Sequence, residues 1–236
     1  SSRCRYLVTG GAGFIGSNLT AALVASGERV RVLDNLVTGH WWLIDRVVSD
    51  SSKVERIEGD IRDPETVARA MQGVEVVFHE AALGSVPRSV EKPINSDSTN
   101  VNGTVTVLDC ARHAGVRRVL FAASSSAYGD TPVLPKQEDM PPKPLSPYAV
   151  TKLTCEHYMK VFSSVYGVET LALRYFNVFG PGQLPDGAYA AAIPRFVYAA
   201  LNDTPLTIYG DGAQTLDYVY VDDVVDATLR AMEVWG

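Results

Sequence analysis

The strand-like stretch Arg5-Tyr-Leu-Val-Thr9 runs directly into the glycine-rich stretch Gly10-Gly-Ala-Gly13-Phe-Ile-Gly16. The apolar periodicity that follows predicts a helix, so the local order is strand, glycine loop and helix. Glycines at this spacing let the backbone turn sharply at Gly10 and approach a pyrophosphate at Gly13, while Gly16 lets the helix pack on the sheet. Because the N-terminus of a helix attracts anions, this order predicts a dinucleotide-binding site.

The next two predicted strands are both followed or ended by a carboxylate. Asp34 ends the strand Arg29–Asp34, and Asp60 follows the strand Val54–Gly59. A carboxylate at Asp34 accepts hydrogen bonds from an adenosine ribose and repels a 2′-phosphate, which favours NAD over NADP. Asp60 and Ile61 could contact the adenine, although the same residues also read as an ordinary turn.

Short β-branched runs alternate with helical stretches through most of the chain. The predicted strands are Arg5–Thr9, Arg29–Asp34, Val54–Gly59, Val74–His79, Arg118–Ala123 and Glu169–Arg174, and the predicted helices are Phe14–Ser26, Thr66–Gln72, Asn95–His113 and Pro147–Tyr166. Continuous apolar strands separated by helices indicate a parallel sheet covered on both faces, which is the doubly wound α/β (Rossmann) fold. We expect this domain to span residues 1–175 and a smaller substrate lobe to span residues 176–236.

Composition and charge exclude several classes of partner. The net charge is −6 with a pI near 5.2, and no run of Lys or Arg stands out, so we expect neither nucleic-acid nor membrane binding. The three cysteines and four histidines show no disulfide or metal-ligand spacing, which predicts no metal site. The N-terminus does not read as a signal peptide, and we expect a cytoplasmic protein.

Two polar stretches suggest proton-transfer chemistry. The first is Phe121-Ala-Ala-Ser-Ser-Ser-Ala-Tyr-Gly129, in which a predicted strand ends in three serines. The second is Ser146-Pro-Tyr148-Ala-Val-Thr-Lys152, which places Tyr148 and Lys152 one turn apart on the same side of a helix. A phenol is a weak base by itself, but a neighbouring ammonium stabilises the phenolate, so it can take a proton from a substrate hydroxyl.

The stretches GGAGFIG, SSSAYG and SPYAVTK, in this order, resemble the extended short-chain dehydrogenase/reductases that act on nucleotide-sugars. The resemblance continues through FHEAA, NVNGT, LRYFNVFGPGQ and YGDGAQTLDYVYVDD, so it covers essentially the whole chain. The stretches GSVPRS and GAYAAAIPRF are similar to UDP-N-acetylglucosamine 4-epimerases of bacterial surface-polysaccharide pathways. The resemblance therefore implies an NAD-dependent UDP-sugar 4-epimerase, with UDP-GlcNAc/UDP-GalNAc as the first candidate pair and UDP-Glc/UDP-Gal as the second.

The same resemblance implies roles for individual residues. The catalytic set is Ser124, Tyr148 and Lys152. The cofactor-binding set is Gly10, Gly13, Phe14, Ile15, Gly16, Asp34, Asn35, Asp60, Ile61, Ala81, Asn100, Tyr148, Lys152 and Tyr175. The substrate-binding set is Gly84, Ser85, Arg88, Ser124, Ser125, Ser126, Tyr148, Asn177, Ala191 and Ala192, although Arg88 also reads as an ordinary surface charge. Helices Asn95–His113 and Pro147–Tyr166 are expected to pair in a homodimer, by analogy.

Departures from the family pattern leave alternatives open. Ser125 and Ser126 stand where related dehydratases and decarboxylases carry acids, which argues against water elimination. Leu216 stands where the family usually has an Arg that binds a UDP phosphate, and losing that contact would cost about 1.5–3 kcal/mol. Family members continue beyond Gly236, so the resemblance predicts a truncated substrate lobe. The alternatives are a UDP-glucuronate 4-epimerase, a nucleotide-sugar dehydratase and a non-catalytic NAD-binding regulatory protein.

The pair Trp41-Trp42 has no counterpart in this pattern. Core packing or a loop contact is the expectation for these two side chains.

Overall fold

Six parallel strands form the central sheet in the order β3-β2-β1-β4-β5-β6. Their bounds are β1 Tyr6–Thr9, β2 Val30–Asp34, β3 Val54–Glu58, β4 Val76–His79, β5 Arg118–Ser124 and β6 Glu169–Tyr175. The computed structural model describes residues 4–185, 190–208 and 210–234. The strand order reverses between β1 and β4, which confirms the predicted doubly wound sheet.

Helices cover both faces of this sheet. They are α1 Phe14–Ala25, α2 Trp41–Val47, α3 Pro64–Ala70, α4 Val86–Glu91, α5 Pro93–Asp97, α6 Gly103–Ala114, α7 Pro147–Tyr166, α8 Ala192–Leu201 and α9 Val221–Glu233. The predicted helix Asn95–His113 is present as α5 and α6 joined by a π-helical turn at Ser98–Asn102. No helix in the described part of the chain combines the length and apolar character needed to cross a membrane.

Two short helices were not predicted from the periodicity. Helix α2 begins at Trp41, whose side chain packs against the sheet core, whereas Trp42 is exposed and stacks on His40 with ring centroids 5.9 Å apart. Helix α4 is capped by Ser85, whose hydroxyl accepts the backbone N–H of Arg88. Both helices have six or seven residues, too few turns for a 3.6-residue repeat to stand out.

Beyond the sheet, the strands β7 Asn177–Phe179 and β8 Tyr218–Tyr220 form a separate two-stranded parallel sheet. Helix α9 follows β8 and returns to the main sheet, where the guanidinium of Arg118 donates to the carbonyls of Ala231 and Met232. The described part of the region after Tyr175 therefore mixes exposed short elements with one helix, α9, that packs on the main sheet. The division at residue 175 stays a prediction.

Candidate active site

The carboxyl ends of the strands border a cleft of about 420 Å³ next to the switch between β1 and β4. Ligands of doubly wound folds bind at such a switch point. The predicted cofactor-binding residues that line it are Gly10, Gly13, Phe14, Ile15, Gly16, Asp34, Asn35, Ile61, Ala81, Tyr148, Lys152 and Tyr175. Asp60 and Asn100 lie outside this lining and bond to residues within it, Asp60 to Asn35 and Asn100 to Leu83.

The glycine loop closes one wall of the cleft against neighbouring backbone. Gly10 has φ +69°, and a Cβ there would lie 2.7 Å from the backbone N of Ala81. A Cβ on Gly16 would lie 2.3 Å from the carbonyl oxygen of Gly10. Gly13 caps helix α1 without a side-chain hydrogen bond and lines the cleft, so the helix N-terminus stays open to an anion. These residues fit the pyrophosphate of a dinucleotide.

Asp34 is held in place by the backbone at the end of β2. One carboxylate oxygen accepts the N–H of Ala12 at 3.0 Å, and the other accepts the N–H of Leu36 at 2.8 Å. Burial raises the pKa of Asp34 above its ordinary value, and the two backbone bonds act in the opposite direction. Each oxygen retains a lone pair, so the oriented carboxylate can accept ribose hydroxyls.

Asp60 acts on the cleft through its neighbours. Its carboxylate accepts the backbone N–H and the guanidinium of Arg62, and these bonds hold the pKa of Asp60 at about 2. The remaining contact is with the side-chain amide of Asn35, at 3.2 Å. Asp60 is therefore a permanent anion that orients Asn35, which lines the cleft.

A directional chain of hydrogen bonds fixes the end of β4. The N–H of Ala81 donates to Thr9 Oγ1, which lies 2.7 Å from His79 Nδ1, and His79 Nε2 lies 2.8 Å from Thr104 Oγ1. Because Thr104 donates its own proton to the carbonyl of Asn100, it must accept from His79, so the proton of the imidazole is on Nε2. Burial lowers the pKa of His79 to about 3, which agrees with a neutral ring.

The predicted catalytic residues converge on one end of the cleft. Ser124 ends β5, and Tyr148 and Lys152 stand on the first turns of α7; all three line the cleft. Ser124 Oγ accepts the N–H of Ser126 at 3.2 Å and its hydroxyl at 2.8 Å. Since Ser124 accepts both bonds, its own proton remains available for a substrate oxygen.

Lys152 is buried, and a hydrogen bond to the backbone fixes its ammonium group. Its Nζ donates to the carbonyl of Ala122 at 2.7 Å and lies 6.0 Å from the ring centroid of Tyr148. An ammonium has three donors, so two protons remain for other acceptors in the cleft. The side chain thus places a fixed positive charge beside the phenol.

Sequence reasoning missed a residue that sets the start of helix α7. Ser89 is fully buried on α4, and its hydroxyl accepts the backbone N–H of Tyr148 at 3.0 Å. This bond satisfies one of the N–H groups that every helix leaves unpaired in its first turn. No signal in the sequence indicated this bond beyond the presence of the second serine of GSVPRS, because Ser89 and Tyr148 are far apart in the chain.

Sequence reasoning also missed a carboxyl group in the cleft wall. Glu80 follows β4 directly and lines the cleft. Its Oε1 lies 3.1 Å from the hydroxyl of Tyr175, a hydrogen-bonding distance. Burial raises the pKa of Glu80 to about 7.

The predicted substrate-binding residues are brought together only in part. Gly84, Ser124 and Tyr148 line the cleft, whereas Ser85, Arg88, Ser125, Ser126, Asn177, Ala191 and Ala192 are not among its lining residues. Leu216 is exposed. Gly187–Tyr189 of GAYAAAIPRF and Tyr209 of YGDGAQTLDYVYVDD lie outside the described residues.

Comparisons with known proteins decide the family. A model of the NAD dependent epimerase/dehydratase family matches residues 6–234. The chain belongs to this family. It is 43% identical over 229 residues to the UDP-glucose 4-epimerase of Mycolicibacterium smegmatis, a match that covers 96% of this chain and 72% of that relative.

Solved structures agree with this assignment. A UDP-N-acetylglucosamine 4-epimerase from Methanobrevibacter ruminantium M1, in complex with UDP-N-acetylmuramic acid, has 36% identity and a TM-score of 0.91, with 99% of this chain and 74% of that chain covered. A dTDP-glucose 4,6-dehydratase from Streptomyces venezuelae, with NAD and TYD bound, has 35% identity and a TM-score of 0.91, with coverage of 98% and 72%. The predictions of an enzyme and of NAD as its cofactor are confirmed.

Proposed function

We propose that this enzyme is a UDP-sugar 4-epimerase. The observation that carries the proposal is the convergence of Ser124, Tyr148 and Lys152 on a cleft whose other end is a glycine loop at a helix N-terminus. Epimerases of this family with UDP-glucose and UDP-N-acetylglucosamine as named substrates are among the similar proteins, which supports a UDP-sugar.

The glycine loop and Asp34 would hold NAD, which would supply reversible hydride transfer at C4 of the sugar with no net redox change. The residues of the chain manage the accompanying proton. Tyr148 takes the proton of the 4-hydroxyl as general base, and Lys152 stabilises the resulting phenolate through its fixed charge. The Ser124 hydroxyl donates a hydrogen bond to the oxygen at C4, because Ser126 already occupies its acceptor side.

The end of β5 favours epimerisation over dehydration. Elimination of water needs an acid and a base beside C5 and C6 of the sugar, in addition to the hydride step. Ser125 and Ser126 begin a short 3₁₀ turn after Ser124, and Ser126 is engaged with the Ser124 hydroxyl. Neither side chain is a carboxylate, so this segment supplies hydrogen bonds but no group that is ionised at neutral pH.

Among UDP-sugars we propose UDP-GlcNAc/UDP-GalNAc as the preferred pair, with UDP-Glc/UDP-Gal as a second pair. The support is the similarity of GSVPRS to the N-acetylhexosamine branch and the 36% identity to an epimerase named for UDP-N-acetylglucosamine. Leu216 in place of the usual Arg predicts weaker binding of the UDP phosphates.

The test is product analysis by NMR after incubation with NAD and each UDP-sugar in turn. We expect UDP-GlcNAc to give UDP-GalNAc, and Tyr148→Phe to slow this by about 10³-fold because the base is lost. Ser164→Ala, which changes an exposed serine on the same helix, is the control and should keep full activity. A 6-deoxy-4-keto product would instead show a dehydratase, and no product from any UDP-sugar would contradict the proposal.

We also propose a cytoplasmic homodimer formed through α6 and α7. Helix α7 carries the exposed apolar residues Val150, Tyr158, Val161 and Val165 at helical spacing, and such a stripe needs a partner. The three cysteines are buried and free, as expected in a reducing compartment. Mass measurement by light scattering would give twice the chain mass for a dimer.

A further inference from the structure

Three side chains connect the wall of the cleft to helix α9. The hydroxyl of Tyr175 lies 3.1 Å from Glu80 Oε1 and 2.8 Å from Thr228 Oγ1. Thr228 Oγ1 lies 2.7 Å from the carbonyl oxygen of Val224, one turn earlier in the same helix. Glu80 and Tyr175 line the cleft, while Thr228 is buried.

The number of protons available to this series of hydrogen bonds depends on whether Glu80 is protonated. Each of the three contacts needs one proton, and the carbonyl of Val224 can only accept. If Glu80 is ionised, Tyr175 and Thr228 supply two protons for three contacts, so two oxygens face each other at about 3 Å without a proton between them. If Glu80 is protonated, three protons serve three contacts in one direction, from Glu80 to Tyr175, to Thr228 and to Val224.

Burial raises the pKa of Glu80 and so favours the neutral acid, whereas the Tyr175 hydroxyl and Lys152 act in the opposite direction. The titratable groups that act on Glu80 are Tyr175 from β6 and Lys152 from α7. Tyr148 lines the same cleft, and the preceding His79 is a neutral ring. Lys152 is the one cation among them, and its charge is partly satisfied by the carbonyl of Ala122. An ionised Glu80 would oppose the stabilisation of a Tyr148 phenolate by Lys152, a consequence that rests on the proposed function.

We propose that Glu80 is a positioning residue that keeps its proton in the folded protein at pH values where an exposed glutamate is ionised, and that it donates this proton to Tyr175. The donated bond fixes the ring of Tyr175 in the cleft wall and joins it to helix α9 through Thr228. Because the acid is neutral, the cleft keeps Lys152 as its uncompensated charge at the catalytic end.

The proposal has a defined pH dependence. Burial raises the pKa of Glu80 from 4.5 to about 7, so between these values the folded protein binds a proton that the unfolded chain has released. Stability contributed by the neutral acid is therefore complete at low pH and is lost as the pH rises through this window. Above pH 7 both states are ionised and the loss stays constant.

Thermal unfolding of wild type and Glu80→Gln from pH 5 to pH 8 tests this, with no cofactor or substrate added. The glutamine amide is neutral at every pH and can donate to Tyr175. The Tm of Glu80→Gln relative to wild type should therefore rise by about 5 °C or more from pH 5 to pH 8. His79 and the other groups titrate in both proteins and cancel in the difference.

Glu58→Gln, which removes an exposed carboxyl on β3, is the matched control and should give a constant difference over the same range. A constant difference for Glu80→Gln would overturn the proposal.

A second measurement uses the wild-type protein alone, so it does not depend on the folding of a variant. In a sample labelled with ¹³C at the glutamate side-chain carboxyl, one resonance should titrate with a midpoint near pH 7. The proposal is wrong if every glutamate has released its proton by about pH 5.5. Neither measurement needs turnover, so a protein without epimerase activity would contradict the proposed function and leave this result standing.

Discussion

The residues up to Tyr175, which we predict to bind NAD (the nucleotide half), and the described residues after Tyr175, which we predict to contribute to the sugar-nucleotide site (the sugar half), are built differently. In the nucleotide half, Asp34, His79 and Asn100 are buried, and protein donors or acceptors fix the side chain of each one. In the described part of the sugar half, Asn177 and Leu216 are exposed and lie outside the lining of the cleft.

This difference indicates that the nucleotide half is organised before a ligand binds, whereas the sugar half is less so. Preorganised groups lose little conformational entropy when a ligand arrives, whereas exposed and loosely held groups must be ordered by it. The preorganised nucleotide half therefore suits a cofactor that is regenerated in each turnover, as the proposed function requires. Under the proposed function, the sugar half admits and releases a new substrate molecule in each turnover. Substitutions in the two halves should consequently change different quantities.

The largest expected effect on stability and on NAD binding comes from Gly16→Ala in the nucleotide half. The new Cβ would lie 2.3 Å from the carbonyl oxygen of Gly10, so the loop or the helix must move. We expect a loss of about 3 kcal/mol in the free energy of unfolding and a Kd for NAD about 100-fold higher. Chemical denaturation and calorimetric titration with NAD measure the two quantities.

Gly84→Ala is the matched control on the sugar side of the cleft. A Cβ at this position meets no atom within 4 Å, and Gly84 has no positive φ. The free energy of unfolding should therefore stay within about 0.5 kcal/mol of wild type. Equal losses in the two variants would show that the glycine loop is no more rigid than the sugar side.

A medium effect is expected from Thr104→Val, which interrupts the chain of bonds around His79. Valine has nearly the same shape as threonine but leaves the buried Nε2–H of His79 without its acceptor. An unsatisfied buried donor costs about 1–3 kcal/mol, which urea denaturation at pH 7.5 would measure.

Thr106→Val makes the same change on the same helix and serves as the control. The hydroxyl of Thr106 donates only to the carbonyl of Asn102, one turn earlier, so we expect a change below about 0.5 kcal/mol. If Thr104→Val were equally mild, the directional chain through His79 would contribute little to the nucleotide half.

Local patterns predicted most of the fold, because strands and long helices repeat over several residues. The bounds of α7 were predicted without error, since Pro147 and Gly167 delimit its periodic stretch, and all six strands of the main sheet were predicted within two residues of their ends. The same locality placed Tyr148 and Lys152 on one side of a helix.

What the sequence could not predict depends on contacts between distant residues. The chain from Glu80 to Tyr175 and Thr228 joins three segments, as the bond between Ser89 and Tyr148 joins two. Sequence periodicity carries no information about contacts between distant segments. It also cannot indicate whether a glutamate in an apolar stretch is ionised or neutral. The resemblance named Asn100 as a cofactor contact, whereas its amide is bonded to Leu83 and Thr151. That role stays a prediction.

The smallest effect on stability is expected in the sugar half, from Asn177→Ala. This side chain is exposed, and its amide donates only to the carbonyl of Asp217 at 3.0 Å. The free energy of unfolding should change by less than about 0.5 kcal/mol. The predicted contact with the sugar nucleotide should instead appear as a KM for UDP-GlcNAc raised by up to about 10-fold, the equivalent of one neutral hydrogen bond.

Asn202→Ala is the appropriate comparison, because Asn202 is an exposed asparagine whose amide donates to the carbonyl of Tyr198 at the end of α8. It belongs to no predicted site, so both its KM and its stability should equal those of wild type. If Asn177→Ala left the KM unchanged, Asn177 would not be a substrate-binding residue. If Asn177→Ala lowered the free energy of unfolding by more than about 1 kcal/mol, the sugar half would also be held by its own hydrogen bonds. The two halves would then differ in the ligands they bind and not in how firmly their side chains are held.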